Sequence, residues 1–408
     1  MPDPRTMPGG ASLSPRHRLR RRLLQTAGVA LTATQPAPAP PAVSPTGAGR
    51  RVLLIRPDHL GDVLLATPAF EALRAAWPDA HVTALVGPWA ETVARRNPYL
   101  DAVLSLPFPG FTRAAPASAL APYRLARREA ERLRAYRFDT AVVLRFDHWW
   151  GALLAALARI PVRLGYAVAE VEPFLTTTLP LDREAHATRL NLALVAALTG
   201  RAPDALPGRP PTRFPLSHDE HEAAARWLAA RGLGDGETLV AVHPGAGAAV
   251  KLWTGQAWGA VADALAADGA RILLTGSPAE AALTADVAAH TRAAVIDAAG
   301  ATDLPLLAAL LARCALALGP DAGALHLATA VGAPTVRLYG PIDPRQFGPW
   351  GDPTLHRVIL ADPPLTCQFC ERLDYAEDEL PLHPCVRWIT TAQVLKAARD
   401  VMAQAMSP

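Results

Sequence analysis

Lysine is nearly missing from this chain: of its 40 basic residues only Lys251 and Lys396 are lysine, and the rest are arginine. Four cysteines in 408 residues are too few for a disulfide scaffold. No run of 18 or more uncharged apolar residues occurs, so the signature of a membrane-spanning helix is absent. The first strand-to-helix turn, PDHLGD (57–62), has one glycine and not the G-x-G-x-x-G of a dinucleotide site. That removes the main support for a nicotinamide or flavin enzyme. Net charge is +3, but residues 1–50 hold seven Arg against one Asp, so the rest of the chain is close to neutral or slightly acidic. A general nucleic-acid binder would carry a basic face, and that class is set aside.

What is present is hydrophobic material, half of all residues, enough for two cores and hence two domains. Residues 1–50 form a basic, Pro/Ala-rich leader expected to be extended and disordered. Its basic stretch, RHRLRRRLLQTAGVALTA, fits a tail, a short amphipathic helix on an anionic membrane surface, or a twin-arginine export signal. From Arg51 the pattern changes. RVLLI, HVTALVG, AVLSLP, TAVVLRF and VRLGY are short apolar, β-rich runs separated by stretches with helical spacing, such as 62–76. Strands alternating with helices predict parallel βαβ units in a doubly wound sheet over residues 51–200. A Pro/Gly-rich connector, 201–217, reads as an interdomain linker. The alternation resumes over 218–390 with LVAV, RILLTG, AAVID, LALGPD and TVRLYG, and 391–408 reads as a last helix packing back across the domain junction. The predicted class is α/β: two Rossmann-like doubly wound domains facing a central cleft.

Ligands bind at the carboxyl ends of strands in such sheets, so polar residues there are the candidates. In the first half these are Asp58 and Asp62. Asp62 lies at a helix N-terminus, which favours its ionised form. A carboxylate there can take a proton from a substrate hydroxyl, or it can simply cap the helix. Arg145 and Arg163 are candidates to meet an anionic acceptor, with surface arginine the plainer reading. In the second half, HPGAGAAVKLW carries Lys251 in a small-residue loop rich in backbone N–H groups. A compact ammonium there can neutralise a phosphate oxygen, although a single lysine on a loop is ordinarily a solvated charge. LLTGSPAE offers Gly276 and Glu280, the latter a carboxylate near a strand end, suited to ribose hydroxyls. GPDAGALHLA sets Asp321 before a helix start whose small residues, Gly323 and Ala324, let a ligand approach the backbone, with His326 close behind. Each has a structural alternative: Asp321 as a cap, Glu280 as a surface residue, His326 as a core histidine. Their concurrence at the strand ends of one domain points to a nucleotide.

In this order and spacing, RPDHLGDVLLATPAFEALR, HPGAGAAVKLW, LLTGSPAE and GPDAGALHLATAVGAPTVRLYGPIDP resemble glycosyltransferase family 9, the ADP-heptose:lipopolysaccharide heptosyltransferases, from about Arg51 onward. The resemblance implies a GT-B architecture with the acceptor, a glycolipid or glycan, in the first domain and the nucleotide sugar, ADP-heptose, in the second. It implies transfer with inversion, no cofactor, no nucleic-acid partner, and work in the cytoplasm with peripheral contact to the inner membrane. By position, Asp62 becomes the general base and Lys251 the donor-diphosphate contact. Glu280 then holds the ribose, and Asp321, Gly323, Ala324 and His326 lie against sugar and phosphates. Inverting transfer needs one base and something to stabilise the departing diphosphate. Lys251 and helix N-termini can do the second without a metal, and no Asp-x-Asp motif occurs in the chain. The loop GAGAAVKLW offers few hydroxyls beside Lys251, which leaves the sugar open. The alternatives are another nucleotide sugar used for a surface polysaccharide or glycolipid, or a non-catalytic nucleotide-sugar binder. The presence of Asp62 with Lys251 speaks against a silent protein.

One late cluster stands apart. CQFCERLDYAEDELPLHPC sets Cys367, Cys370, His383 and Cys385 in C-x-x-C…H-x-C spacing, a possible structural zinc set. A reduced or partly disulfide-linked staple is the other reading.

Overall fold

The computed structural model of the chain describes Thr26 and residues 46–112, 118–201, 210–234 and 236–405. Nearly all of the leader, with its three readings, and residues 202–209 of the expected linker lie outside the described residues. The chain divides into two compact units between Pro210 and Pro211.

The first unit runs β1 (Arg51–Arg56), α1 (Leu60–Ala76), β2 (His81–Val86), α2 (Glu91–Arg95), β3 (Ala102–Ser105), α3 (Ala121–Arg134), β4 (Thr140–Val143), α4 (Trp149–Leu157), β5 (Val162–Tyr166), β6 (Thr177–Leu179) and α5 (Ala187–Thr199). Its six strands are parallel in the order β3-β2-β1-β4-β5-β6. Helices cover both faces, so β1 is apolar from Val52 to Ile55 and does not alternate with polar residues; Arg56, also buried, closes it. Its successive side chains enter opposite cores. Leu53 and Ile55 join Val143, Trp150 and Phe174, while Val52 and Leu54 join Phe70, Leu73 and Val142. The unit starts before Arg51. Arg50 is buried with its guanidinium 5.3 Å from the Trp77 ring. Gly47 has φ +74°, and a Cβ there would meet Trp77 Cβ at 2.5 Å, so only glycine fits.

The second unit runs α6 (His218–Ala229), β7 (Thr238–Val242), α7 (Gly255–Ala267), β8 (Ala270–Leu274), α8 (Ala281–His290), β9 (Val295–Asp297), α9 (Leu304–Ala312), β10 (Leu316–Pro320), α10 (Gly323–Ala330), β11 (Thr335–Leu338), α11 (Pro344–Phe347), β12 (His356–Ile359) and α12 (Thr391–Ala405). Its sheet order, β12-β11-β10-β7-β8-β9, repeats the winding of the first. Local signals set the helix starts: a capping box of Ser217 and Glu220, and Thr254 and Asp303 side chains accepting from Ala257 and Leu306 N–H groups. Helix α12, for which the sequence suggested a return across the domain junction, buries Val394, Ala397, Ala398 and Val401 in the core of its own unit.

The fold class is therefore α/β, two Rossmann-like doubly wound domains. In each sheet the chain winds one way from its first strand and then the other way from its fourth. The switch lies between β1 and β4 in the first unit and between β7 and β10 in the second. Loops leaving neighbouring strands at such a point diverge and open a crevice.

Candidate functional site

In the first unit the β1–α1 turn and the chain following β4 meet at the switch point. Asp58 is 1% exposed. Its Oδ2 lies 2.8 Å from Arg56 Nε, and its Oδ1 accepts from Arg145 Nη1. Burial alone would push this carboxyl up, but the two guanidinium charges outweigh it and hold the group below the usual carboxylate range. Both oxygens are thus taken, and Asp58 orders the two arginines.

Asp62 is more open, with its side chain 30% exposed and Oδ1 3.5 Å from Arg56 Nη2. The N-cap is His59, three residues earlier, so Asp62 sits inside the first turn of α1. A helix N-terminus and a neighbouring guanidinium both favour an anion at this position.

Arg145 is no plain surface residue. It pairs with Asp58 and Asp147 and lies 5.3 Å from the Phe111 ring. Burial disfavours its charge, yet the two carboxylates raise its pKa above the ordinary arginine value. Arg163 departs further from the expected surface position. It is buried and donates to the carbonyls of Phe174 and Ile160, so it serves the fold.

Sequence reasoning missed two residues here. Arg56 ends β1 and donates to Leu144 O at 3.1 Å, tying the two switch-point strands together. His148 is 5% exposed, neither ring nitrogen has a hydrogen-bond partner, and Phe108 meets it edge-on at 5.3 Å. Burial pushes its pKa down to about 4. A Cβ on Gly151 would meet His148 Nδ1 at 2.4 Å, so the glycine makes room for the ring. Trp89 donates to Asp58 O at 2.7 Å and fixes the turn, with His59 and Phe111 beside its ring.

In the second unit the chain leaving β7 and the chain leaving β10 converge in the same way. Lys251 closes a short 3-10 turn, Ala249–Lys251, several residues before α7, and is not a solvated surface charge. Its Nζ donates to Asp321 Oδ2 at 2.6 Å, with the two side chains 13% and 11% exposed. Burial raises the Asp321 carboxyl, but the His326 ring and the Lys251 ammonium more than offset it and keep the group well below the usual range. Asp321 is not the cap of α10. The cap position is Ala322, which offers no side chain, so the N–H groups of Gly323 and Ala324 open the helix without a side-chain acceptor. His326 faces Asp321 through Nε2 at 3.8 Å, longer than a hydrogen bond.

Glu280 and Gly276 lie at the end of β8. Glu280 Oε2 accepts from Ser277 N–H at 2.8 Å, and its other oxygen lies over Gly245, where a Cβ would meet it at 2.2 Å. The carboxylate is therefore held across the ends of β7 and β8. His243, buried in the same corner, has Nδ1 3.1 Å from Thr275 Oγ1. The structure thus assembles Lys251, Asp321, Gly323, Ala324 and His326 as one group, and Glu280, Gly276 and Gly245 as a second at the adjoining strand end. Arg337 and Tyr339, both fully buried, back the first group and carried no obvious sequence signal beyond a charge inside an apolar strand.

Cys367, Cys370, His383 and Cys385 are not gathered into a metal-holding group among the described residues. All four cysteines are free, and among the described residues no group of three or more His, Cys, Asp or Glu has the arrangement to hold a metal. The His383 ring packs on Tyr375 at 3.9 Å, and Cys370 lies 3.5 Å from the Tyr375 hydroxyl.

The chain matches the family model for glycosyltransferase family 9 (heptosyltransferase) over residues 126–369. It is 27% identical over 304 residues to a lipopolysaccharide heptosyltransferase 3 of Escherichia coli, covering 72% of this chain and 84% of the relative. Among solved structures, a glycosyl transferase family 9 protein from Veillonella parvula superposes with a TM-score of 0.70 at 24% identity, covering 88% of this chain and 99% of the other. The E. coli ADP-heptose LPS heptosyltransferase II gives 0.69 at 23% identity, covering 88% and 100%.

Proposed function

The chain belongs to glycosyltransferase family 9, and we propose that it moves heptose from ADP-heptose onto a lipopolysaccharide-core or related cell-surface glycan, with inversion at the anomeric carbon. The relatives' names support the sugar and the acceptor class. The observation that carries the donor half is the Lys251–Asp321 pair, 2.6 Å apart, directly before the N-terminus of α10, which has no side-chain cap. On this reading the diphosphate lies against Lys251 and the N–H groups of Gly323 and Ala324, the sugar against Asp321 and His326, and the ribose against Glu280 beside Gly276.

The first domain receives the acceptor. Asp62 takes the proton of its hydroxyl as that oxygen attacks the anomeric carbon from the face opposite the diphosphate. The carbon–oxygen bond to the diphosphate breaks, and ADP leaves with the electron pair, its new negative charge met by Lys251 and the helix start. Asp58 acts through Arg56, which it pairs with at 2.8 Å and which lies 3.5 Å from Asp62. A lipid-linked acceptor sets the reaction in the cytoplasm at the inner face of the membrane. Among the described residues no helix is long and apolar enough to cross a membrane.

A thermal-shift panel of nucleotide sugars tests the donor, with ADP-heptose expected to give the largest rise in Tm; a larger rise with a different sugar nucleotide would sink that assignment. Asp62→Ala should lower transfer about 10²–10⁴-fold while ADP binds nearly as before. Wild-type turnover in that variant would remove Asp62 as the base.

A further inference from the structure

Arg337 lies in the middle of β11, fully buried, and none of its hydrogen-bond partners is a carboxylate. Nε donates to Thr335 Oγ1 at 3.3 Å, and Nη2 donates to Leu325 O at 2.7 Å and to Thr329 Oγ1. Nη1 lies 3.2 Å from His326 Nδ1. A buried guanidinium that touches no carboxylate and feels the Asp321 charge only at longer range is costly, and an apolar residue would fill a purely structural position with less penalty.

Proton bookkeeping says what the arginine does. A guanidinium has only N–H donors and stays charged in proteins. His326 Nδ1 must therefore accept, which leaves the imidazole proton on Nε2. Nε2 is the nitrogen that faces Asp321 Oδ1, at 3.8 Å. In the other tautomer a lone pair would point at the carboxylate and repel it.

We propose that Arg337 is a positioning residue: it locks His326 in the neutral Nε2–H form, so that a proton faces Asp321 and the carboxylate stays turned toward Lys251. This rests on the reading of Lys251 and Asp321 as the donor site. The groups that face His326 agree with it. They are Asp321 from the loop after β10, Lys251 from the turn after β7, and Arg337 from β11. Tyr339, directly after β11, donates its hydroxyl to Phe347 O at 2.9 Å and also interacts through it with Arg337 and Asp321, and His356 on β12 is 3.1 Å from the Thr335 hydroxyl that also receives Arg337. Burial first, and then the Arg337 charge, push the His326 pKa down to about 4, so the ring stays neutral through the physiological range.

The test is nitrogen NMR of the histidine rings in the full chain, joined to the pH profile of kcat/KM for the donor. In the wild-type protein His326 should be a single Nε2–H tautomer, uncharged at pH 7 and at pH 5.5. In Arg337→Met the ring should mix tautomers and titrate above its wild-type value of about 4, by the part that the Arg337 charge contributes while burial still holds it down, giving kcat/KM an ionisation at correspondingly higher pH. Arg337→Lys, which can still donate to Nδ1, should restore the wild-type profile in large part. An Nδ1–H or charged His326 in the wild-type protein overturns the lock without any variant being needed, even if Arg337→Met fails to fold. An Arg337→Met protein with the wild-type tautomer and profile overturns it as well. The tautomer is read with no donor present. A locked His326 in a chain that binds no nucleotide sugar would therefore overturn the donor reading, and the positioning role with it, while the tautomer assignment stands.

Discussion

Replacing Lys251 by Ala should damage stability and donor affinity together, and the structure sets the size of each. Nζ and the Asp321 carboxylate are 2.6 Å apart with both side chains nearly nine-tenths out of solvent. Removing one partner of a buried pair costs about 3–5 kcal/mol, because the other charge is left uncompensated. His326 remains beside Asp321, so the lower figure, about 3 kcal/mol, applies. For a unit of this size that lowers Tm by about 6–12 °C. Lys251→Ala with Asp321→Ala should recover much of the loss, since no unpaired charge is left behind. Affinity follows separate arithmetic. A charge-assisted hydrogen bond contributes about 1.5–3 kcal/mol, so ADP should bind roughly 10–150-fold more weakly, with AMP less affected. Calorimetric unfolding of the wild-type, single and double variants measures the first effect, and titration calorimetry with ADP and AMP measures the second. A single variant as stable as the wild type would refute the pairing energy. Unchanged ADP affinity would refute the phosphate contact.

Two further outcomes follow from named groups. His148 and His326 are held neutral in the folded chain down to about pH 4, whereas an unfolded histidine takes its proton near pH 6.5. The unfolded state therefore binds more protons between these values, and stability should fall as pH drops from about 6.5 to 4, by at most about 3 kcal/mol per histidine. Urea unfolding at pH 7 and pH 5 checks this, and equal midpoints would contradict it. Gly245→Ala should displace the Glu280 carboxylate, whose Oε1 lies 2.2 Å from where the new Cβ would sit. The carboxylate end of a side chain can move, so Tm should barely change while preference for ADP over its 2′,3′-dideoxy analogue declines. An undiminished preference would separate Glu280 from the ribose.

The strands were legible because parallel strands covered on both faces read as unbroken apolar runs. TTL (β6) and HRVI (β12) were not, since edge strands of three and four partly exposed residues lack that run. Lys251 stood out by composition and Asp321 by its place before a run of small residues. That they touch was invisible, because 70 residues separate them and only the sheet order makes β7 and β10 neighbours. Arg56 and Arg337 were hidden for the opposite reason. In a chain that uses arginine almost everywhere, one more arginine gives no contrast, and nothing local says that these two are buried. The signal available was their position, at the end of RVLLIR and inside TVRL, where a buried strand has no solvent to offer a charge.

The two switch points use the same topology for different charges, and this bears on which residue does what. After β1 and β4 two arginines enclose Asp58 and take both its oxygens, which leaves the more open Asp62 as the carboxylate able to meet a hydroxyl. A second carboxylate engaged as fully as Asp58 would serve no base function. After β7 and β10 the cation is a lysine, and the arrangement of its donors is the point. An ammonium has three N–H groups arranged around one nitrogen. One of them meets Asp321 at 2.6 Å, leaving two for phosphate oxygens without breaking the pair. An arginine paired with the same carboxylate through its fork would keep three N–H groups, but these are fixed in the plane of the guanidinium and cannot turn about one nitrogen toward a diphosphate as those of an ammonium can. On the proposed reading, this is the physical reason that a chain with two lysines keeps one of them here, and it predicts that Lys251→Arg preserves stability far better than it preserves transfer.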